Sequence, residues 1–220
     1  MIDFHTHTIF SDGVLIPSEL VRRAEVCGYR AIGLTDHVDA SNLDFVVSRI
    51  VKVAKELNRR TKIFVIPGVE ITHAPPDEIA ELIAEARNLG AALIITHGES
   101  PVEPVAPGTN HAAILAETDI LAHPGLLSTD DAILAKQKKV FLEITSRAGH
   151  SLTNGHVFRV ASETGAQLVL STDTHTPDNL ITPQKAELVL RGSGMSKSDA
   201  SRVLDSNQAF LDILKARNAC

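Results

Sequence analysis

Residues 62–97 read KIFVIPGVEITHAPPDEIAELIAEARNLGAALIITH, and the fold turns on this stretch. Two short runs rich in Ile, Val and Leu, KIFVIPGVEI and AALIITH, flank a segment of helical periodicity that Pro76-Asp77-Glu78 opens and Gly90 closes. Neither run alternates apolar with polar residues as a half-solvated strand does, so both are expected to be buried on two faces, like parallel strands covered by helices. The unit predicted is strand, helix, parallel strand. Its first strand ends at Glu70 and its second at His97.

The same alternation continues in both directions. IDFH at the start, AIGLTD, DILAH, KVFLEIT and AQLVLSTD bring the candidate strands to seven, each followed by a polar break and a helix-like segment. A last helix, about Lys197 to Lys215, has no strand after it. Seven βα units form either an open doubly wound sheet or a closed barrel, and periodicity alone does not separate them.

A chain of 220 residues suits one domain spanning 1–220. Apolar residues make up 44% of it, yet none of its apolar runs approaches the roughly 20 residues of a membrane span, so no membrane association is expected. The start lacks a basic segment followed by an apolar run, which makes cytoplasm the expected compartment, and Cys27 and Cys220 are expected to be free thiols. A net charge of −6 without long Lys/Arg runs argues against an extended nucleic-acid surface. The pattern does not specify an oligomeric state.

The chemistry gathers at the strand ends. Strand one ends at His5 and His7, strand two at Asp36 and His37, strand three at Glu70, strand four at His97, strand five at His123, strand six at Glu143, and strand seven at Asp173 and His175. Parallel strands share a direction, so all these groups converge on one face, where sites form in barrels and open sheets alike. Residues two apart on an extended segment project to one side, so His5/His7 can grip one ion and Asp173/His175 can reach the same place. Singly, each has a plain structural reading: a turn histidine, a carboxylate answering a neighbouring cation, a packed ring. Together they are costly to bury without cations, and divalent metal removes that cost.

These residues make the chain resemble the PHP (polymerase and histidinol phosphatase) family. The resemblance runs through His5-Thr6-His7 with Ser11-Asp12-Gly13, Thr35-Asp36-His37, Gly68-Val69-Glu70, Thr96-His97-Gly98, Ala122-His123-Pro124-Gly125, Leu142-Glu143-Ile144 and Asp173-Thr174-His175. It implies a distorted seven-stranded β/α (TIM-like) barrel with three divalent ions (Zn, Mn or Fe) at the strand C-termini. On that implication the first ion takes His5, His7, Glu70 and Asp173. Glu70 bridges to a second ion held by His97 and His123, and Asp12, His37 and His175 hold a third. Aspartate at position 12, where some members have histidine, makes that ion's shell harder and less selective for zinc over manganese or iron. Three divalent ions opposed by Asp12, Glu70 and Asp173 leave about three net positive charges, a pocket suited to phosphate in an acidic protein.

The activity so implied is hydrolysis of small phosphoesters, by a phosphomonoesterase or small phosphodiesterase, with Glu70 and Asp173 in the catalytic set. Arg147 and His150, in TSRAGHSLTNGH after strand six, can reach substrate phosphate, with Asn154 a further candidate; surface pairing and capping are their alternative roles. Asp36 can orient a ligand histidine and Glu143 can orient water or substrate, or both can be structural partners. His73 is assigned to loop ordering, His111 and His156 to helix starts, and Glu99 and residues 108–110 to loops at the same face. Competing readings are an amidohydrolase-type metal barrel, a histidinol-phosphate phosphatase specifically, and a non-catalytic or nuclease-type PHP module.

Overall fold

In the computed structural model, which describes residues 1–218, the chain runs β1 (Ile2–Asp3), α1 (Pro17–Val26), β2 (Ala31–Leu34), β3 (His37–Val38), α2 (Leu43–Asn58), β4 (Phe64–Ile71), α3 (Ile79–Asn88) and β5 (Leu93–His97). It continues through α4 (Thr109–Leu115), β6 (Ile120–Ala122), α5 (Thr129–Lys138), β7 (Phe141–Thr145), α6 (Asn154–Thr164), β8 (Leu168–Ser171), α7 (Pro183–Gly192) and α8 (Lys197–Asn218). Every ladder is parallel, in the order β1-β2-β4-β5-β6-β7-β8 with β3 beside β4.

The two edges of this sheet meet. Thr6 bridges in parallel to Thr174, the His7 N–H donates to the Thr174 carbonyl at 2.8 Å, and the Asp173 N–H donates to the His5 carbonyl at 2.9 Å. Below them the buried Asp3 carboxylate accepts from the Thr172 N–H at 3.0 Å and from its hydroxyl at 2.6 Å. The result is a nearly closed TIM-like α/β barrel of seven parallel strands, which excludes the open sheet.

The predicted second strand is split in two. β2 and β3 keep a single register against β4, with Ala31 opposite Phe64 and His37 opposite Glu70, but the ladder is interrupted at Thr35-Asp36. Pro67 has no N–H to give near this break, and Gly68 allows close approach there: a Cβ would lie 2.7 Å from the Leu93 carbonyl oxygen and 2.9 Å from Thr35 Cγ2. The interrupted strand resumes in time to set His37 directly beside Glu70.

Two apolar cores flank the sheet. The larger lies between strands and helices. The smaller collects Phe4, Ile66, Leu93, Ile95, Ile120, Phe141 and Val169 from the strands with Phe210, Leu211 and Leu214 from α8. The Phe210 ring centre is 4.9 Å from that of Phe4 and 4.5 Å from that of Phe141. On the same helix the buried Asn207 accepts from the Leu170 N–H at 3.0 Å and donates to the Leu170 carbonyl at 2.8 Å, while Arg217 pairs with Asp119 at the start of β6 at 2.6 Å. The helix without a strand to follow thus stoppers the N-terminal end of the barrel and leaves the C-terminal end open.

No helix among the described residues is long and apolar enough to cross a membrane. Cys27 is an exposed free thiol; Cys220 lies outside the described residues.

Candidate metal centre

The backbone beyond β1 is anchored by Thr6, whose N–H donates to Thr35 Oγ1 at 3.1 Å and whose hydroxyl donates to the Gly33 carbonyl at 2.6 Å. This fixes His5 and His7 on either side of it at the barrel mouth, both fully or almost fully buried. His5 Nε2 lies 3.3 Å from Glu70 Oε2 and 3.8 Å from Asp173 Oδ1; His7 Nε2 lies 3.6 and 3.2 Å from the same two oxygens. The four residues expected to share the first ion therefore converge.

The third set converges as well. Asp12 Oδ1 is 3.4 Å from His37 Nε2 and 3.2 Å from His175 Nε2, and the His7 ring stacks between those of His37 and His175 with centroids 4.1 and 4.2 Å away. His7 is close enough to join Asp12, His37 and His175 around one ion as well as His5 and Asp173 around another. The second set gains a member: His97 and His123 group with His150, and His150 is buried with its ring 4.1 Å from that of His123. Glu70 lies between the sets, its Oε2 2.7 Å from His37 Nδ1 and its Oε1 3.8 Å from His123 Nε2.

Of the strand-end carboxylates Asp36 and Glu143, Glu143 is the one that meets a histidine ring. Its Oε1 lies 2.8 Å from His5 Nδ1 and its Oε2 accepts the His123 N–H at 3.0 Å, so His5 is held with Nε2 facing the centre. Asp36 has no such contact to spare, because one oxygen accepts the Thr8 N–H at 2.7 Å, the Ser11 N–H at 3.1 Å and the Ser11 hydroxyl at 2.9 Å. It orders the loop that carries Asp12.

Arg147 stands at the rim, Nε 4.0 Å from Asp173 Oδ2 and Nη1 donating to Asn179 Oδ1 at 3.0 Å. Asn154 is engaged with the backbone: its amide brackets Thr145, accepting the N–H at 3.2 Å and donating to the carbonyl at 2.8 Å. Glu99 accepts the Gly108 and Asn110 N–H groups at 3.0 and 2.9 Å and shapes its own loop. His111 pairs with Asp131 at 2.7 Å and His156 donates to the Leu127 carbonyl at 2.8 Å, both away from the clusters.

Glu103 was not anticipated. It lies in a loop punctuated by Pro101, Pro104 and Pro107, with no strand to aim it, yet its carboxylate reaches His97, His150 and His73 at 3.0 to 3.3 Å. The hydrogen bond from His97 draws its carboxyl down to about 2 against the opposing effect of burial.

Charge and burial conflict throughout the mouth. Burial and the neighbouring His37 and His5 hold His7 well below the usual histidine range, and burial with His97 does the same for His123. Burial also acts to lower His5, but Glu70, Glu143 and Asp173 outweigh it and hold the ring well above that range. Burial drives Asp173 up to about 7 with Glu70 adding to it, although His5 opposes the rise. Two strand-end residues also carry left-handed backbone, His123 at φ 29° and Asp173 at φ 55°, a strain that persists where surroundings dictate the conformation.

These donors fit divalent metal. Eight buried side-chain nitrogen and oxygen atoms among the described residues make no hydrogen bond, and all but Ser171 Oγ belong to His5, His7, Glu70, His123 and Asp173. Metal–ligand bonds of about 2.0–2.2 Å place neighbouring ligand atoms about 2.8–3.6 Å apart, the range of most separations above. A buried imidazole and carboxylate set of this kind suits Zn, Mn or Fe.

The sequence matches the PHP domain over residues 3–181. It is similar to the uncharacterized protein MJ1295 of Methanocaldococcus jannaschii, 46% identical over 204 residues that cover 92% of this chain and 94% of that one. Among solved structures, a chain of archaeal ribonuclease P with mature tRNA superposes with a TM-score of 0.74 at 18% identity, covering 100% of this chain and 92% of that one. Histidinol phosphate phosphatase from Lactococcus lactis, complexed with zinc, L-histidinol and phosphate, superposes with a TM-score of 0.60 at 17% identity, covering 89% and 94%. At such identities the structural likeness speaks for the barrel alone. The domain match runs from the last residue of β1 through β8 and takes in all three donor clusters from His5 to His175, and the chain belongs to the PHP domain family.

Proposed function

We propose that the protein is a metal-dependent hydrolase of small phosphoesters, a phosphomonoesterase or small phosphodiesterase holding three divalent ions. The observation that carries this reading is the position of Glu70: Oε2 faces the cluster of His5, His7 and Asp173, while Oε1 faces His123. One carboxylate so placed suits two adjacent ions, and His7 links them to the third cluster. When bound, the ions would polarise phosphoryl oxygens and bring the pKa of water from about 15.7 to about 7.

The chain's own groups do the rest. Glu143 keeps His5 in the tautomer that leaves Nε2 free for the centre. Asp173, buried against His5 and His7, stands where it can hold or pass on a proton of the attacking water. Arg147 at the rim presents a guanidinium to non-bridging phosphate oxygens. The Lactococcus lactis protein of similar fold was crystallised with zinc and phosphate, which supports the same pairing here.

The test is elemental analysis of the purified protein, then phosphate release from a panel of phosphomonoesters and phosphodiesters, histidinol phosphate included, with manganese, zinc and iron. Hydrolysis of C–N bonds in place of phosphoesters would favour the amidohydrolase reading and sink this one. Arg147→Ala is expected to raise KM about tenfold or more with metal content intact, because a hydrogen bond to a charged group contributes about 1.5–3 kcal/mol. Unchanged kinetics would remove Arg147 from the substrate site.

A further inference from the structure

A carboxylate and an imidazole from two different loops converge on the second cluster. Glu103 Oε2 lies 3.0 Å from His97 Nε2, and Glu103 Oε1 lies 3.3 Å from His150 Nε2. Both rings are fixed from behind: His97 Nδ1 is 3.0 Å from the Gly98 carbonyl oxygen, and His150 Nδ1 is 2.7 Å from Ser100 Oγ. With Nδ1 engaged, each ring turns Nε2 toward the same carboxylate, the arrangement in which outer hydrogen bonds orient metal ligands. His97, His123 and His150 are themselves near enough to one another to share an ion.

We infer that Glu103 and His150 are ligands of the second ion, completing its shell with His97, His123 and the bridging Glu70. The inference rests on the metal-centre reading above and adds two donors that the family resemblance does not supply. A simple ion pair needs one imidazole, whereas Glu103 is forked across the buried rings of His97 and His150 at separations that match the ligand edges of a zinc shell, with the exposed His73 a further neighbour of Oε2. An ion held this way ties the loop around Glu103, which no strand or helix holds in place, to the barrel mouth. It also lowers the centre's net charge by one, to about two positive.

The experiment is zinc titration of the metal-stripped full-length protein in competition with a chromophoric chelator, for wild type, Glu103→Gln, Glu103→Ala and His150→Ala. Glu99→Gln, which perturbs the hydrogen bonds of the same loop, is the control for loop order, and a thermal melt of each stripped protein confirms folding. Glutamine at 103 keeps a hydrogen-bond acceptor for His97 and loses the charge that a metal needs. The expected result is one zinc site weakened tenfold or more in the Glu103 and His150 variants, with the other sites and the Glu99→Gln protein at wild-type affinity. Full zinc binding at wild-type affinity in both Glu103 variants overturns the inference, as does equal weakening in Glu99→Gln. Failure of the wild type to take up zinc, manganese or iron would instead refute the metal centre itself.

Discussion

Glu70→Gln is expected to leave a folded protein whose zinc binding is weakened in the two clusters that Glu70 joins and that turns over phosphoesters at least a thousandfold more slowly. Glu70 is fully buried and is the expected ligand of the first and second ions, reaching His7 and His123, while its Oε2 also touches His37 of the third cluster, so neutralising it weakens the first two sites at once. The acidification of water that a metal centre supplies, from about 15.7 to about 7, corresponds to about 12 kcal/mol. A thousandfold loss is only about 4 kcal/mol and therefore needs no more than a third of that contribution to vanish. The substitution is nearly isosteric, so the stripped variant is expected to melt within a few degrees of stripped wild type. The separating measurement is the gain in Tm on adding zinc. Each ion at a thousandfold excess over its Kd contributes about 4.1 kcal/mol, and most of the wild-type gain is expected to be missing. Wild-type metal content and turnover in Glu70→Gln would show that the carboxylate is a packing partner of the histidines and nothing more.

The donors of this centre are legible in the sequence because each follows a buried strand. His5, Glu70, His97, His123 and Asp173 all end an apolar run, and parallel strands carry their ends to one face whatever the details of packing. Their grouping into three sets came from the family resemblance; the structure brings His5, His7 and Asp173 together and, beside them, Asp12, His37 and His175 with His7. Closure of the barrel was not legible in the strand periodicity and came only through the family resemblance, because the seam is made by polar residues far apart in sequence: Asp3 meets Thr172 at a separation of 169 residues. Which of Asp36 and Glu143 orients a histidine and which orders a loop stayed open in the sequence for a related reason. Both are carboxylates at strand ends, and which one meets an imidazole depends on ring orientations that only tertiary contacts set. Glu103 was hidden most completely, since its position depends on a proline-punctuated loop that Glu99 anchors from within.

Phe210→Ala is expected to cost about 3–5 kcal/mol, the usual range for removing a fully buried aromatic side chain. At about 2–4 °C per kcal/mol for a chain of this size, that is a fall in Tm on the order of 10 °C. Phe210 is 2% exposed and packs against Phe4 just after β1 and Phe141 of β7, on the two flanks of the β8 seam. Its loss opens a cavity where the barrel's inner core meets α8, and the strands cannot collapse to fill it without breaking their own ladder. Ile213, 48% exposed on the same helix, supplies the contrast: Ile213→Ala is expected to stay within about 0.5 kcal/mol of wild type. Both variants sit at the N-terminal end of the barrel, so zinc stoichiometry in the folded protein is expected to be unchanged in each. A Phe210→Ala melt within two degrees of wild type would mean that α8 merely leans on the barrel, and that the strands close their lower end without it.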